Sequence, residues 1–241
     1  MRSMNKLLVA AVTAGALILG SDRAADAGSL DISPVTFQLY GPERATTLTV
    51  RNTEAEVTEV QVRAFDWTQS GDDILTPSDI LQISPPFFEL GPDEEQVVRL
   101  IVTDEVDTSR EVAFRLFIDE VPTGGSEQVG VVVPLRIVLP VFLTPSMDAR
   151  PNLSWTATEH GDRLEVSVTN SGDSRERIVN LGIIDQTGGN STLVENLAGY
   201  VLAGSTRSWT FTTTALHGAD ELLISGDGYG GSFHAIVTAQ E

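Results

Sequence analysis

Side chains that could carry out catalysis are few in this chain of 241 residues, and their spacing matches no known catalytic or metal-binding motif. The three histidines, His160, His217 and His234, lack metal-ligand spacing, and no serine stands in a Gly-x-Ser-x-Gly context. The chain has no cysteine, which excludes thiol chemistry and thiolate metal sites. We therefore predict a protein that is not an enzyme and that uses no metal and no cofactor.

Two acidic clusters and one glycine-rich run have structural interpretations. Asp72-Asp73 and Asp93-Glu94-Glu95 lack the alternating ligands of a calcium loop, which favours solvated turns. The run Gly226–Gly231 lacks the Lys-Ser/Thr pair and the helix of a phosphate-binding loop. This run is predicted to be a hairpin turn.

Charge limits the classes of partner. The net charge is −19, which argues against nucleic acid and anionic membrane surfaces as partners. Lys6 is the only lysine, so beyond the first residues arginine is the only permanently charged cation. The planar guanidinium group matches a carboxylate in two-point hydrogen bonding, so a carboxylate site in this chain is expected to use arginine.

The first residues have the pattern of a secretory signal peptide. Arg2 and Lys6 precede the apolar segment Leu7–Gly20, and Ala25-Asp26-Ala27 supplies a small-x-small cleavage site. We predict a signal peptide at residues 1–27 with cleavage after Ala27. The alternative is an N-terminal membrane anchor, which the shortness of the apolar segment disfavours. No membrane insertion is predicted for the rest of the chain.

The remaining sequence is typical of an all-β protein. Short runs rich in Val, Ile, Thr and Phe recur between clusters of Gly, Pro, Asn and Asp, and helical periodicity is absent. The two prolines of Thr144–Pro151 indicate a linker. We predict an immunoglobulin-like β-sandwich domain at residues 28–145 and a second β-sandwich domain at 146–241. Leu48–Asn52 and Val166–Asn170 are similar alternating strands that each end at an asparagine turn, as expected for two sandwiches of similar kind.

The run Val129–Pro145 is the longest apolar segment after the leader, and Arg136 is its only charged residue. Strands average about 5–6 residues, and the part of this run predicted as a strand, Val129–Phe142, is roughly twice that. A strand with surplus apolar length is predicted to serve as a binding edge.

Seven segments, in this order along the chain, resemble those of the periplasmic pilus-assembly chaperones of the PapD-like superfamily, in particular the non-classical branch that serves spore-coat-protein-U-like subunits. They are Ile32–Pro34, Leu48–Asn52, Val60–Trp67, Ile83–Phe88, Gln96–Leu100, Phe114–Pro122 and Arg136–Phe142. Leu197–Ser205 extends a weaker resemblance into the second domain. The resemblance implies two immunoglobulin-like domains joined at an angle, with a cleft between them.

The resemblance implies that the seventh strand completes a partner that lacks a strand. Such a strand donates backbone hydrogen bonds and inserts alternate side chains into the partner. The alternating set, here called the donor run, is Val129, Val131, Val133 and Leu135. Ordinary core burial is the alternative for these residues, and from Ile137 onward it is the expected role. An exposed valine row also favours self-association of the free protein.

The family holds the C-terminal carboxylate of its subunit between two basic residues in the cleft. Arg136 resembles the basic residue of the seventh strand, whereas Thr36 stands where the first strand would supply a cation. Arg115 or Arg63 is predicted to compensate, and the alternative is one arginine helped by the Thr36 hydroxyl. Glu111 resembles the acidic member of the salt bridge between the domains, but Thr144 stands at its cationic position, which leaves the presence of this bridge open.

The function implied is a periplasmic chaperone that binds pilin-like subunits and delivers them to an outer-membrane usher. The alternative is a secreted two-domain adhesin or carbohydrate-binding protein. That class would be expected to show clustered exposed aromatic residues, whereas the three Trp and three Tyr are scattered along the sequence. A hydrolase assembled from distant residues is a weaker alternative.

Overall fold

A computed structural model describes residues 30–103, 106–121, 134–184, 190–212 and 221–240. This part of the chain consists of strands, turns and loops, and its seventeen strands form three sheets. No helix in it is long and apolar enough to cross a membrane. The all-β prediction is therefore confirmed.

Two sheets form the N-terminal sandwich. Sheet A has the order β1 (Leu30–Ser33), β3 (Ala45–Asn52), β8 (Glu95–Val102) and β6 (Leu81–Ser84). Sheet B has the order β2 (Phe37–Tyr40), β10 (Arg136–Thr144), β9 (Val112–Val121), β4 (Thr58–Ser70) and β5 (Asp72–Pro77), and β7 (Phe87–Leu90) also pairs with β4. The alternating apolar residues of both sheets meet in one core that includes Val50, Leu100, Leu116 and Val141.

The third sheet forms the C-terminal sandwich. Its order is β14 (Asn190–Val201), β13 (Glu176–Ile184), β16 (Glu221–Gly228), β17 (Gly231–Gln240), β11 (Leu153–His160), β12 (Arg163–Asn170) and β15 (Thr206–Thr212). A separate apolar core lies inside it and includes Leu164, Val166, Ile178 and Ile224. The turn predicted at Gly226–Gly231 is confirmed, because β16 and β17 are antiparallel neighbours whose last pair is Gly228 and Gly231.

The asparagines that end the two similar strands have the same role. Asn52 and Asn170 are both fully buried, and each donates its side-chain amide to a backbone carbonyl of the loop that follows and to the last carbonyl of another strand. The Oδ1 atom of each accepts a backbone N–H two residues further on, at Glu54 and at Gly172. The two sandwiches thus share a buried asparagine that closes a turn.

Three strand predictions were wrong in detail. The residue pattern of Leu30–Leu39 predicts a single strand, but the structure has two, β1 in sheet A and β2 in sheet B, because the chain changes sheet after Pro34. No strand was predicted for β5, whose residues are all exposed and therefore show no alternation. The residue pattern also predicts two strands, Leu193–Leu197 and Tyr200–Leu202, but the structure has one, β14, with bulges where it pairs with β13.

Candidate functional site

The face of sheet B that points away from the core carries the candidate site, and we call it the cleft face. Because side chains alternate along a strand, Phe114, Leu116 and Ile118 of β9 enter the core while the residues between them lie on the opposite face. The cleft face comprises Arg63, Phe65 and Trp67 of β4, Arg115, Phe117 and Asp119 of β9, and Arg136, Val138 and Phe142 of β10.

One end of the cleft face is covered by the C-terminal sandwich. Trp67 and Phe142 pack with Leu202 and Tyr200, and the rings of Trp67, Phe142 and Tyr200 have centroids 5.6 to 5.9 Å apart. Nearby, Gln69 donates to the Tyr200 carbonyl (2.8 Å) and accepts from the Leu202 N–H (2.9 Å). These contacts between the two sandwiches leave the other end of the face open.

The β4–β5 hairpin extends this contact. At its turn, the N–H of Gly71 donates to the Thr206 carbonyl, and the Gly71 carbonyl accepts from the Ser208 N–H. Gly71 and Arg207 thus form a parallel bridge between the hairpin and β15. Gly71 has φ +82°, in the left-handed region that glycine adopts without strain. The Asp73 carboxylate accepts hydrogen bonds from Trp67 Nε1 (2.9 Å) and Gln69 Nε2 (2.8 Å), and it lies 2.6 Å from Arg207 Nη1. Sheet B and the C-terminal sheet are thereby hydrogen-bonded to each other.

A buried ion pair also joins the sandwiches, which answers the question left open by the sequence. Glu111 precedes β9, and its partner is Arg175 of the C-terminal sandwich, with Nη1 and Oε2 2.6 Å apart. Their side chains are only 1% and 6% exposed. Thr144 donates its hydroxyl to the same carboxylate (2.6 Å), and Arg175 Nη2 donates to Gln38 (3.0 Å). The bridge therefore exists, with a cation that sequence reasoning missed.

Arg115 lies in the corner where the covered part of the cleft face meets the open part. Its guanidinium carbon is 3.6 Å from the centroid of the Trp67 ring and 5.9 Å from that of Tyr200. Within the described ranges, no oxygen accepts a hydrogen bond from it. Burial lowers the pKa of Arg115, and the nearby charge of Asp73 opposes this effect. At neutral pH the group remains a cation, and its hydrogen-bond donors have no partner among the described residues.

Arg136 lies at the open end of the cleft face. Its Nε donates to Asp119 Oδ1, while Arg63 Nη2 donates to Oδ2 of the same carboxylate at 2.5 Å. Asp119 is 11% exposed, against 40% for Arg63 and 56% for Arg136. Burial opposes ionisation of Asp119, but the hydrogen bonds and charges of the two arginines outweigh it and lower its pKa.

The predicted anchor residues do not form one constellation. The register of β9 with β10 pairs Arg115 with Pro140 and Asp119 with Arg136. Thr36 immediately precedes β2, whose pairing with β10 begins at Phe37 and Val141, one residue beyond Pro140. Thr36 therefore lies next to the row of Arg115 and Pro140. Arg136 is four residues, about 13 Å, further along β10.

The donor run is only partly covered by the structure. Val129, Val131 and Val133 lie outside the described residues. Leu135 is half-buried and packs against the N-terminal core, and its carbonyl accepts from the Glu120 N–H (2.9 Å). The sequence predicts core burial from Ile137 onward; Ile137 packs against the N-terminal core, but Val138 is exposed on the cleft face. From Leu139 onward the residues of β10 are buried, and Leu139, Val141 and Leu143 belong to the N-terminal core.

The arrangement of two β-sandwiches around a cleft is the fold of the chaperones that serve chaperone–usher pili. Solved structures of such proteins share it over nearly the whole chain. The match of residues 29–148 to the PapD N-terminal domain of pili and flagellar-assembly chaperones shows that this chain belongs to that family. The members of this family are periplasmic chaperones rather than enzymes.

Three solved structures illustrate the similarity. The complex of the chaperone CsuC with the tip subunit CsuE, from archaic Csu pili of Acinetobacter baumannii, matches with a TM-score of 0.69 and 23% identity, covering 89% of this chain and 100% of that one. The YadV chaperone matches with a TM-score of 0.61 and 15% identity, covering 88% of this chain and 100% of that one. The Salmonella enterica SafB chaperone in complex with the SafA pilin matches with a TM-score of 0.56 and 18% identity, covering 88% of this chain and 98% of that one. No curated protein matches the sequence.

Proposed function

We propose that this protein is a periplasmic chaperone that completes pilin-like subunits by strand addition at β10 and delivers them to an outer-membrane usher. In this proposal, residues 1–27 are a signal peptide, residues 28–145 the domain that carries the donor strand, and residues 146–241 the second sandwich. The boundary is supported by the strands: those up to Thr144 belong to sheets A and B, and those from Leu153 to the third sheet. A mature protein that begins at Gly28 would support the leader assignment.

The observation that carries the proposal is the unequal pairing of the two edges of β10. β9 pairs with β10 from Arg136 to Leu143, whereas β2 covers the other edge only from Val141 to Thr144. Among the described strands, none pairs with the stretch Arg136–Pro140 on that side. An open edge of this length accepts a further strand by backbone hydrogen bonding. The donor run would continue the same edge toward the partner.

Strand β2 also limits how far an added strand can extend. Its pairing begins at Phe37 and Val141, so a strand laid along the open edge must end level with Pro140. Arg115 pairs with Pro140 in that row, and Thr36, the residue before β2, borders it. A partner that ends there presents its terminal carboxylate to the Thr36 hydroxyl and to the guanidinium donors of Arg115. We therefore assign the carboxylate anchor to Arg115 and Thr36, with Arg136 further along the added strand.

Co-expression tests the function. The variant Arg115→Ala is produced in the periplasm with a short exported β-protein encoded beside this gene, and the complex is recovered through a tag on the chaperone. We expect at least a tenfold loss of complex, because a charge-assisted hydrogen-bonded pair in a cleft contributes about 1.5–3 kcal/mol. Arg99→Ala, an exposed arginine on sheet A, is the matched control. Equal recovery of both variants would contradict the anchor assignment.

The donor run has its own test. Val131→Glu introduces a charge into the side chains that would enter the apolar groove of the partner, so we expect the complex to be lost. Val97→Glu alters an exposed valine on sheet A and serves as the control. A stoichiometric complex with Val131→Glu would exclude strand donation, whatever the outcome at Arg115.

A further inference from the structure

The cluster of Arg63, Asp119 and Arg136 has an excess of positive charge. One carboxylate serves two guanidinium groups, and both arginines remain substantially exposed while Asp119 is buried. The Nε atom of Arg63 is buried and has no hydrogen-bond partner within the described part of the chain. Two cations that share one anion can accept a second anion without breaking the first contact.

The position of this cluster indicates where the second anion would come from. Arg136 is the first residue of the open stretch of β10, four residues before the row at Pro140 where an added strand must end. A strand that ends there with its carboxyl group runs parallel to β10. Its residue four positions before the last then lies beside Arg136, and in a sheet neighbouring side chains of one row share a face about 5 Å apart.

We propose that Arg136, supported by Arg63, forms a second anion subsite for an acidic side chain of the partner, located four residues before its C-terminus. This inference rests on the proposed function, since it needs a strand added at the β10 edge. Asp119 stays paired with Arg63 and orients Arg136, while the partner carboxylate binds the exposed side of the Arg136 guanidinium group. The subsite would select partners by the sequence of their last strand, separately from their terminal carboxylate.

Neighbouring features of the cleft face favour the same alignment. Two residues beyond Arg136, Val138 is 40% exposed on the same face, so it offers apolar contact to the residue two positions before the partner's end. The Phe117 ring lies 5.4 Å from the Arg136 guanidinium carbon, which holds that group over the sheet. Elsewhere the protein is strongly acidic, with a net charge of −19, so an acidic strand is disfavoured at other positions.

Four synthetic peptides test the subsite on the purified full-length mature protein. Each has seven residues of alternating valine and threonine, except that the third residue is glutamate or glutamine, and each ends in a free carboxylate or an amide. We expect the glutamate peptides to bind about threefold more tightly than the glutamine peptides, as for a solvent-exposed ion pair. This preference should vanish in Arg136→Gln, persist in Arg99→Gln, and increase in Asp119→Asn.

The effect of the terminal group separates the subsite from the anchor. Amidation should weaken all peptides by the same factor in the wild type and in Arg136→Gln, because the terminal carboxylate is held at Arg115. Equal binding of glutamate and glutamine peptides would overturn the subsite and leave the proposed function intact. Loss of the amidation effect in Arg136→Gln would also overturn it, because the terminal carboxylate would then lie at Arg136. Absence of binding by every peptide would overturn both.

Discussion

The two carboxylates at the ends of β9 have opposite surroundings although arginine is the partner of each. Glu111 and Arg175 are almost completely buried and connect the two sandwiches. Asp119 lies within one sandwich, and its arginines face the open end of the cleft. The same ion-pair chemistry therefore serves two purposes. A sealed pair fixes the relative position of the domains, whereas a pair with exposed cations can accept another anion.

The strongest test of this contrast removes the sealed carboxylate. Glu111→Ala leaves the Arg175 guanidinium buried without its counter-ion, so we expect a loss of about 3–5 kcal/mol in the free energy of unfolding. Guanidinium chloride titration measures it. Asp93→Ala is the matched control, because it breaks the exposed pair with Arg51 and should change stability by less than about 0.5 kcal/mol. Equal effects of the two variants would show that burial does not distinguish these pairs.

Asp73 provides an intermediate case, since it joins the sandwiches but is 37% exposed. Burial opposes its ionisation, but Gln69, Trp67 and Arg207 outweigh this and lower its pKa from the usual 3.8. A lowered folded-state pKa gives stability that is present above pH 3.8 and is lost as the pH falls through the folded-state pKa. We expect Asp73→Asn to be about 1 kcal/mol less stable at pH 7. The difference in unfolding free energy between Asp73→Asn and the wild type should disappear in acid, as denaturant titrations at several pH values would measure. A difference that does not depend on pH would contradict the ionic explanation.

Among the three carboxylates of the cleft and the domain contact, the smallest expected effect on stability belongs to Asp119 of the open cluster. Asp119→Asn keeps the size of the side chain and leaves two exposed arginines that water can solvate, so we expect a loss of about 0.5 kcal/mol. Thermal unfolding at low and at high salt measures the loss. A loss comparable to that of Glu111→Ala would mean that the cluster is structural rather than available for binding.

The strands of the cores could be predicted from the sequence because they alternate regularly. The sequence predicts strands whose bounds coincide with those of β6, β7, β8 and β12, since one face of each is apolar: Leu81–Ser84, Phe87–Leu90, Glu95–Val102 and Arg163–Asn170. The strand β5 escaped prediction for the opposite reason: all its residues are exposed, and its position is set by backbone pairing with β4. The change of sheet after Pro34 is likewise determined by the packing of two sheets, which no local pattern records.

The partner of Glu111 could not be read from the sequence. Arg175 is sixty-four positions away, and the residues on either side of it form no motif. The only available signal was indirect: Thr144 stands where the resemblance implies a cation, and the burial of Glu111, which makes a counter-ion necessary, is visible only in the structure. The distance along β10 between Arg136 and the position of Thr36 could not be predicted for a related reason, since it depends on the register between β2 and β10.

The hydrogen bonds of Gly71 to β15 have a consequence for binding thermodynamics. Together with the Glu111–Arg175 pair and the aromatic contact of Trp67 with Tyr200, they attach the sandwiches at separate points, so the angle of the cleft is set before any partner arrives. A preorganised cleft loses little conformational entropy on association. The ordering required for complex formation then falls on the incoming chain.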